Sequence, residues 1–266
     1  MIKKISDKTL LASTGIVFLA IFLFVSLQKH PNYHKTSRFE HLAHTLFYST
    51  VNHLALAGSF RGEASFSLSM PYFRQENGLT CEVAALRTVL SYRGTNVSEA
   101  ELLDKLAFDT REPMSSDGTW GDPEDGFIGS VNGSIFNRTG FGVYEKPILN
   151  LALEYYNAAI LEDADLTEVL NEVLSGNPVI VWGLLSRRAP VSWQTKDGKV
   201  VSVRPGEHAR VVIGFTGDPL NPKEIILMDP IYGRIRMGKN KFISDWEIMD
   251  NRAVVVYKDM TISNQI

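Results

Sequence analysis

The 266-residue sequence contains a single cysteine, Cys81, and this scarcity excludes an internal disulfide. Basic charge is not in excess either: the formal net charge is −3, and no block of Lys and Arg offers a face to phosphate groups. A disulfide-stapled scaffold and a nucleic-acid partner are therefore not expected. What remains is a chain of ordinary globular composition, with 44% hydrophobic residues.

Histidine is nearly absent from the main part of the chain. Beyond residue 60 the sequence has only His208, and the other five are His30, His34, His41, His44 and His53. Two pairs of these have spacings compatible with a metal, but no Cys or carboxylate cluster completes a site. We therefore expect no metal and no cofactor. If Cys81 has an imidazole partner in the same globular unit, it is His208.

Cys81 stands where a polar loop gives way to a helical pattern. The apolar residues that follow recur at helical spacing: Val83, Leu86, Val89 and Leu90. Gly94 is placed to end the helix, and Thr80 is predicted to cap it by accepting from a free N–H of the first turn. A thiol at a helix N-terminus is expected to have a lowered pKa and to act as a nucleophile. The alternative is that Cys81 is a small buried hydrophobe.

Gln75 lies six residues before Cys81 in the same polar loop. Its side-chain amide could swing back toward the thiol. There it would donate to an oxyanion beside the Cys81 backbone N–H. This makes Gln75 a candidate catalytic residue.

The remaining pattern places helices first and strands later. A capping box at Ser98 and Glu101 opens a second helix, residues 147–156 form a third, and Asp165 caps a fourth. Strand patterns follow, with a hairpin around Asp197-Gly198. The Gly- and Asp-rich stretch 115–134 is expected to contain no regular element and to form either a wall of a substrate cleft or a surface loop. This order predicts an α+β fold.

Two of the later strands offer a partner for the imidazole. His208 opens one strand, and Asp229 closes the next. If Thr216 pairs with Asn221 across the connecting turn, His208 pairs with Asp229, and their side chains share a face. The carboxylate could then fix the imidazole tautomer, or Asp229 could simply be a turn residue before Pro230.

The N-terminus carries a long uncharged run at residues 9–27, preceded by Lys3, Lys4 and Lys8. Its length nearly matches a bilayer core, so we predict a transmembrane signal anchor over residues 9–28, with a cleaved signal peptide as the alternative. Residues 1–8 would be cytoplasmic, 29–69 a juxtamembrane connector and 70–260 the globular domain. That domain is expected outside the cytoplasm of a bacterial cell, at the cell membrane.

Five stretches resemble, in order, motifs of the bacteriocin-leader-type cysteine peptidases, the peptidase C39-like family of the papain-like superfamily: QENGLTCEVAALRTVLSYRG, GTWGDPEDGFIG, GNPVIVW, GEHARVVIGF and LMDPIYG. The resemblance covers roughly residues 70–258. It implies a papain-like fold, with N-terminal helices packed on an antiparallel sheet. It also implies Cys81 as nucleophile, His208 as base, Asp229 as orienting residue and Gln75 as oxyanion donor. Many members have Gly-Pro after the cysteine, whereas this chain has Glu82-Val83, which favours the stand-alone branch over the transporter-linked leader peptidases.

The sequence thus predicts a membrane-anchored cysteine peptidase that cleaves a peptide or protein substrate through Cys81, His208 and Asp229. Two alternatives remain open. One is an acyl transferase that uses the same site, with an amine replacing water. The other is a non-catalytic module that binds a peptide in the cleft.

Overall fold

The helix that begins at Cys81 lies in the centre of the hydrophobic core. The computed structural model describes residues 65–109 and 118–260, which belong to one compact unit. Helix α1 spans Cys81–Tyr92, and from Cys81 to Leu90 every residue except Arg87 is buried. The buried surface of α1 is therefore wider than the predicted apolar stripe, because other parts of the protein cover the helix on nearly all sides. Gly94 follows the helix at φ +101°, the left-handed conformation that favours glycine at this position.

The main sheet has seven strands, and all of its pairings are antiparallel. Its strands are β1 Ser65–Ser67, β5 Tyr156–Ile160, β6 Val179–Leu184, β9 Glu207–Asp218, β10 Asn221–Asp229, β11 Gly233–Gly238 and β12 Ala253–Met260. They are ordered β11-β10-β9-β6-β12-β5 across the sheet, and β1 also pairs with β9. The central strand β9 is long enough for β6 to pair with its first half and β1 with its second.

Four further helices and two small sheets complete the described residues. The helices are α2 Glu99–Lys105, α3 Glu145–Leu153, α4 Leu166–Leu174 and α5 Lys239–Glu247. The strands β2 Phe108–Asp109, β3 Phe127–Gly129 and β4 Gly140–Gly142 form one small sheet, and β7 Val191–Gln194 and β8 Val200–Val203 form a hairpin. Helix α1 packs against β9, β6, α2 and α3.

Most predicted elements are present with shifted ends. The capping box at Ser98 and the Asp165 cap are both confirmed. Helix α3 begins two residues before Pro147 and ends at Leu153, and Tyr156, its predicted last residue, is instead the first residue of β5. The stretch 115–134 does contain a regular element, since β3 lies within it. A run with five glycines in twenty residues hides this strand, because its pairing partners lie outside the stretch.

The predicted α+β class is confirmed. The transmembrane helix predicted at residues 9–28 and residues 29–64 of the connector predicted at 29–69 lie outside the described residues. Residues 65–67 of that connector form β1 and pair with β9 in the main sheet. Within the two described ranges, no helix combines the length and the apolar character that a bilayer crossing requires.

Candidate active site

The loop before Cys81 is fixed by the second helix. Thr80 occupies the cap position of α1, but its hydroxyl makes no capping hydrogen bond. It donates instead to the buried carboxylate of Glu99, which also accepts from the Glu76 N–H at 2.9 Å and from the Asn77 side chain at 3.2 Å. The predicted cap is therefore wrong in its bonding, because the hydroxyl is turned away from α1: it donates to Glu99 and accepts from the Asn77 N–H at 3.3 Å.

The Cys81 thiol is buried and already has partners. Sγ lies 3.3 Å from Oε2 of Glu82, to which the thiol donates, and it accepts from the Ala209 N–H at 3.4 Å. Burial, together with the nearby carboxylates of Glu82 and Glu207, raises the pKa of the thiol well above its usual value. The predicted low pKa is wrong, since burial and two carboxylates outweigh the effect of the helix terminus.

His208 and Asp229 form a hydrogen-bonded pair beneath the cleft. Nε2 of His208 lies 3.1 Å from Oδ1 of Asp229, and both side chains are buried. Oδ2 of the same carboxylate accepts from Nε of Arg210 at 2.7 Å. Burial alone would raise the pKa of Asp229, but the bond to His208, the N–H of Ile231 and the Arg210 charge hold it well below its usual range. Asp229 is therefore a permanent anion near neutral pH.

The imidazole is neutral in this setting. Burial lowers the pKa of His208, the hydrogen bond to Asp229 partly offsets that effect, and the Arg210 charge lowers the pKa further. With Nε2 turned to Asp229, Nδ1 is the nitrogen left to receive a proton.

The predicted pairing of His208 with Asp229 across the hairpin is wrong by two residues. The turn is tighter than expected, since Asp218 pairs with Asn221. Two one-residue irregularities, one on each strand, then cancel, and Met228 pairs with Val211. Continued by one residue, this register sets Asp229 opposite Arg210 and diagonal to His208. A shift of two residues keeps every side chain on its face, so the carboxylate still reaches the imidazole.

Gln75 lies at the cleft, but its amide is turned into its own loop. Nε2 donates to the carbonyls of Asn77 at 2.7 Å and Gly78 at 3.1 Å, while Oε1 is buried without a partner among the described residues. The Gln75 backbone N–H also donates to the Pro230 carbonyl at 3.0 Å, which ties this loop to the turn after Asp229. An oxyanion donor at this position would have to release one of the two carbonyls.

One cleft of about 210 Å³ contains three of the four predicted site residues, Gln75, Cys81 and His208. Asp229 lies behind His208 and does not line it. The walls are largely apolar and include Leu79, Ile135, Phe136, Phe141, Leu185 and Ile231. Gly133 and Ser134 belong to the wall as well. The stretch 115–134 therefore contributes to a wall of the cleft, which is one of the two alternatives predicted from the sequence.

Two carboxylates at the site are absent from the sequence prediction. Sγ of Cys81 and one oxygen each from Glu82 and Glu207 lie within 4.8 Å of one another. These atoms are the kind that bind metals, but both Glu82 oxygens already accept hydrogen bonds, from the thiol and from the Val143 N–H. We therefore assign no metal or cofactor to them.

Sequence signals for the missed residues exist. Glu82 is a charge directly before the apolar residues 83–86 of the helical run, and Arg210 is a lone cation inside the strand pattern HARVVIGF. A charged side chain in a buried element requires a partner, so Glu82 and Arg210 could each have been identified from the sequence as a candidate site residue. Glu207 carries no such signal, since it stands at a strand end.

Comparisons with known proteins agree with this architecture. The model of the peptidase C39-like family matches residues 67–254. The uncharacterized protein YvpB of Bacillus subtilis is 32% identical over 186 residues, which cover 67% of this chain and 69% of that protein. The crystal structure of a proposed C39-like peptidase from Bacillus anthracis superposes with a TM-score of 0.64 at 25% identity, covering 74% of this chain and all of that one.

A more distant likeness is to the peptidase domain of Streptococcus ComA, a bifunctional ABC transporter in a quorum-sensing pathway. There the TM-score is 0.42 and the identity 19%, over 69% of this chain and 96% of that one. The family match over most of the described residues, with the identity to YvpB, decides the classification: this chain belongs to the peptidase C39-like family.

Proposed function

We propose that residues 70–260 form a cysteine peptidase of papain-like fold, with Cys81 as nucleophile, His208 as general base and Asp229 as the residue that orients the imidazole. The observation that carries this proposal is the 3.1 Å contact between Nε2 of His208 and Oδ1 of Asp229, behind a cleft that Cys81 and His208 both line. Family membership supports the class of reaction.

The reaction follows from the protonation states. Because both the thiol and the imidazole are neutral at rest, His208 acts as a base that takes the thiol proton as Sγ attacks the substrate carbonyl. The imidazolium formed is stabilised by the Asp229 anion. It then gives the proton to the leaving amine, and water releases the acyl group from Cys81.

The oxyanion would be held by N–H groups at the start of α1 and by the Gln75 amide. Rotation of that amide away from Asn77 and Gly78 brings a donor toward the thiol and gives the buried Oε1 a new environment. A lost oxyanion donor typically costs about 10²-fold or more in turnover.

A peptide-binding module without turnover is the second candidate. It is favoured by the buried neutral thiol, which is bound to Glu82 and so is not free to attack. A covalent probe distinguishes the two candidates. Only a peptidase requires His208 to deprotonate Cys81, so only in a peptidase does the labelling of Cys81 depend on His208.

The experiment is labelling of Cys81 in the full chain by a peptidyl chloromethyl ketone at pH 7. We expect His208→Ala to slow the labelling by about 10²-fold or more, since the base is lost, while circular dichroism shows a folded domain. Cys81→Ser is the control for labelling elsewhere. Equal labelling rates in folded wild type and His208→Ala would reject the pairing. Once a cleaved peptide is found, an added amine distinguishes hydrolysis from acyl transfer.

We also propose that residues 9–28 anchor the protein in the cell membrane, with the peptidase domain outside the cytoplasm. The support is the uncharged run at residues 9–27 after three lysines.

A further inference from the structure

We propose that Glu82 is a further catalytic residue, which shares one proton with Glu207 and in its acid form donates a hydrogen bond to the Cys81 thiolate. This inference rests on the proposed function and deepens it. It predicts a peptidase that is active while the pair holds its shared proton and is silenced as that proton leaves with rising pH.

The first step of the argument is the orientation of Glu82. Its side chain is fully buried beside Cys81 at the start of α1. The Val143 N–H donates to Oε1 at 3.0 Å, which holds the carboxyl group with Oε2 at 3.3 Å from Sγ. The same contact can form in two protonation states. Either the Cys81 thiol donates to the Glu82 carboxylate, or the Glu82 carboxylic acid donates to the Cys81 thiolate. Glu82 is thus a direct proton partner of the nucleophile.

Glu207 completes a carboxyl pair. A Cβ built at Gly142 would lie 2.7 Å from Oε1 of Glu82 and 3.6 Å from Oε2 of Glu207, so both groups border the same face of this glycine. Oε1 of Glu207 is buried and has no partner within the described residues. Two carboxylates and a thiolate would place three negative charges within 4.8 Å of one another. Retaining one proton on the pair lowers the number of negative charges from three to two.

The charges around the pair leave it without a direct cation. Arg210 on β9 and Arg252 before β12 lower the pKa of Glu207, but Arg210 is bound to Asp229, and Arg252 is bound to Glu124 and Glu145.

Glu99 on α2 acts in the opposite sense and raises the pKa of Glu82. The Glu207 charge also raises the pKa of the nearby Tyr144 hydroxyl. Burial is the largest effect, raising the pKa of Glu82 from 4.5 to about 7 and that of Glu207 well above its usual value. The pair therefore holds a proton more tightly than two exposed carboxyl groups would.

The proton count of the reaction is simple. The thiol proton passes to Nδ1 of His208 as the C–S bond forms, and then to the leaving amine nitrogen as the C–N bond breaks. Glu82 and Glu207 keep their one shared proton throughout. It stabilises the negative charge that develops on Sγ as the thiol proton leaves, and it is no longer needed once the sulfur is acylated. When the pair is fully ionised, Glu82 can only accept from the thiol, and thiolate formation is suppressed.

The test is the rate of Cys81 alkylation by iodoacetamide in the full chain, measured by mass spectrometry between pH 5 and pH 10. In Glu82→Gln the amide oxygen can accept from Val143 while the NH₂ donates to the thiolate at every pH. We expect the alkylation midpoint to fall by about one pH unit or more. Glu207→Gln should shift it in the same direction without altering the Sγ contact. Glu172→Gln, a buried glutamate on α4 bound to Asn177, is the matched control and should leave the midpoint unchanged.

Unchanged midpoints in folded Glu82→Gln and Glu207→Gln would overturn the proposal. If Glu82→Gln does not fold, Glu207→Gln decides alone. Failure of the proposed function has a different signature: labelling by the peptidyl probe that ignores His208→Ala, while the Glu82→Gln shift persists.

Discussion

At the scale of single residues, the Asp229 carboxylate contacts four polar groups although its side chain has no solvent exposure. Besides His208 and Arg210, the N–H groups of Ile231 at 2.8 Å and Tyr232 at 3.1 Å donate to Oδ1. Asp229 thus fixes the turn that follows β10 as well as the imidazole. Variants of Asp229 will therefore lose stability and activity together, and Arg210 is the better probe of the buried charge pair.

Arg210→Met tests what the buried cation contributes to stability. It leaves the Asp229 anion with one fewer partner in the core, so we expect the free energy of unfolding in urea to fall by about 3–5 kcal/mol. Arg234→Met, which removes an exposed guanidinium bound to the Ser67 hydroxyl, should change it by less than about 0.5 kcal/mol.

The pH dependence of the same measurement has a definite sign. The folded-state pKa of Asp229 is depressed, so its stabilising contribution is present above the unfolded pKa of about 3.9 and is lost as pH falls below it. Part of the depression comes from Arg210, and the acid loss should be smaller in Arg210→Met. Equal stability of Arg210→Met and wild type at pH 7 would contradict this account.

At the scale of elements, α2 holds the loop that presents the nucleophile. Glu99, in the first turn of α2, is fully buried and binds Glu76, Asn77 and Thr80. The position of Cys81 at the start of α1 therefore depends on a neighbouring helix as well as on the propensity of its own segment.

Replacement of Glu99 by alanine should affect both stability and the site. We expect a loss of about 3 kcal/mol, because a charged acceptor is removed from three buried or half-buried donors. We also expect slower labelling of Cys81, because the loop loses its anchor. Glu101→Ala is the matched control: it removes the capping-box partner of Ser98 in the same turn and should cost about 1 kcal/mol or less, with labelling unchanged. Normal labelling in Glu99→Ala would show that α1 positions the thiol unaided.

At the scale of the whole molecule, the site is assembled from segments far apart in sequence. Helix α1 packs against β9, so the Cys81 thiol contacts the Ala209 N–H. Strand β10 pairs with β9, so the Asp229 carboxylate reaches His208. The cleft lies where these elements meet.

The anchor predicted at residues 9–28 is tested by fractionation of cells that express the full chain. We expect the protein to stay in the membrane fraction through a carbonate wash, because an uncharged run of this length matches a bilayer core. A variant lacking residues 1–28 is the control and should be released. Recovery of a shortened soluble form, with a new N-terminus after residue 27, would favour the cleaved signal peptide instead.

Much of this protein follows from local sequence. The helix after Cys81, the capping box at Ser98, the Asp165 cap and the Asp197-Gly198 hairpin are set by residues within a few positions of one another, so they could be read directly. The choice of His208 as partner of Cys81 followed from the near absence of other histidines. The predicted register was wrong by two residues. Because side chains alternate between the faces of a strand, Asp229 nevertheless lies on the same face as His208.

Tertiary structure alone decided the electrostatics of the site. The pKa of a thiol depends on burial and on charges a few ångströms away, and Glu207 comes from a strand more than a hundred residues beyond Cys81. The same holds for the Thr80 hydroxyl, which binds Glu99 of α2 and the Asn77 N–H and does not cap α1. It holds also for β3, whose pairing partners lie outside its own segment. Propensity and periodicity act over one turn or one strand, whereas desolvation and Coulomb energy depend on every element that packs around the group.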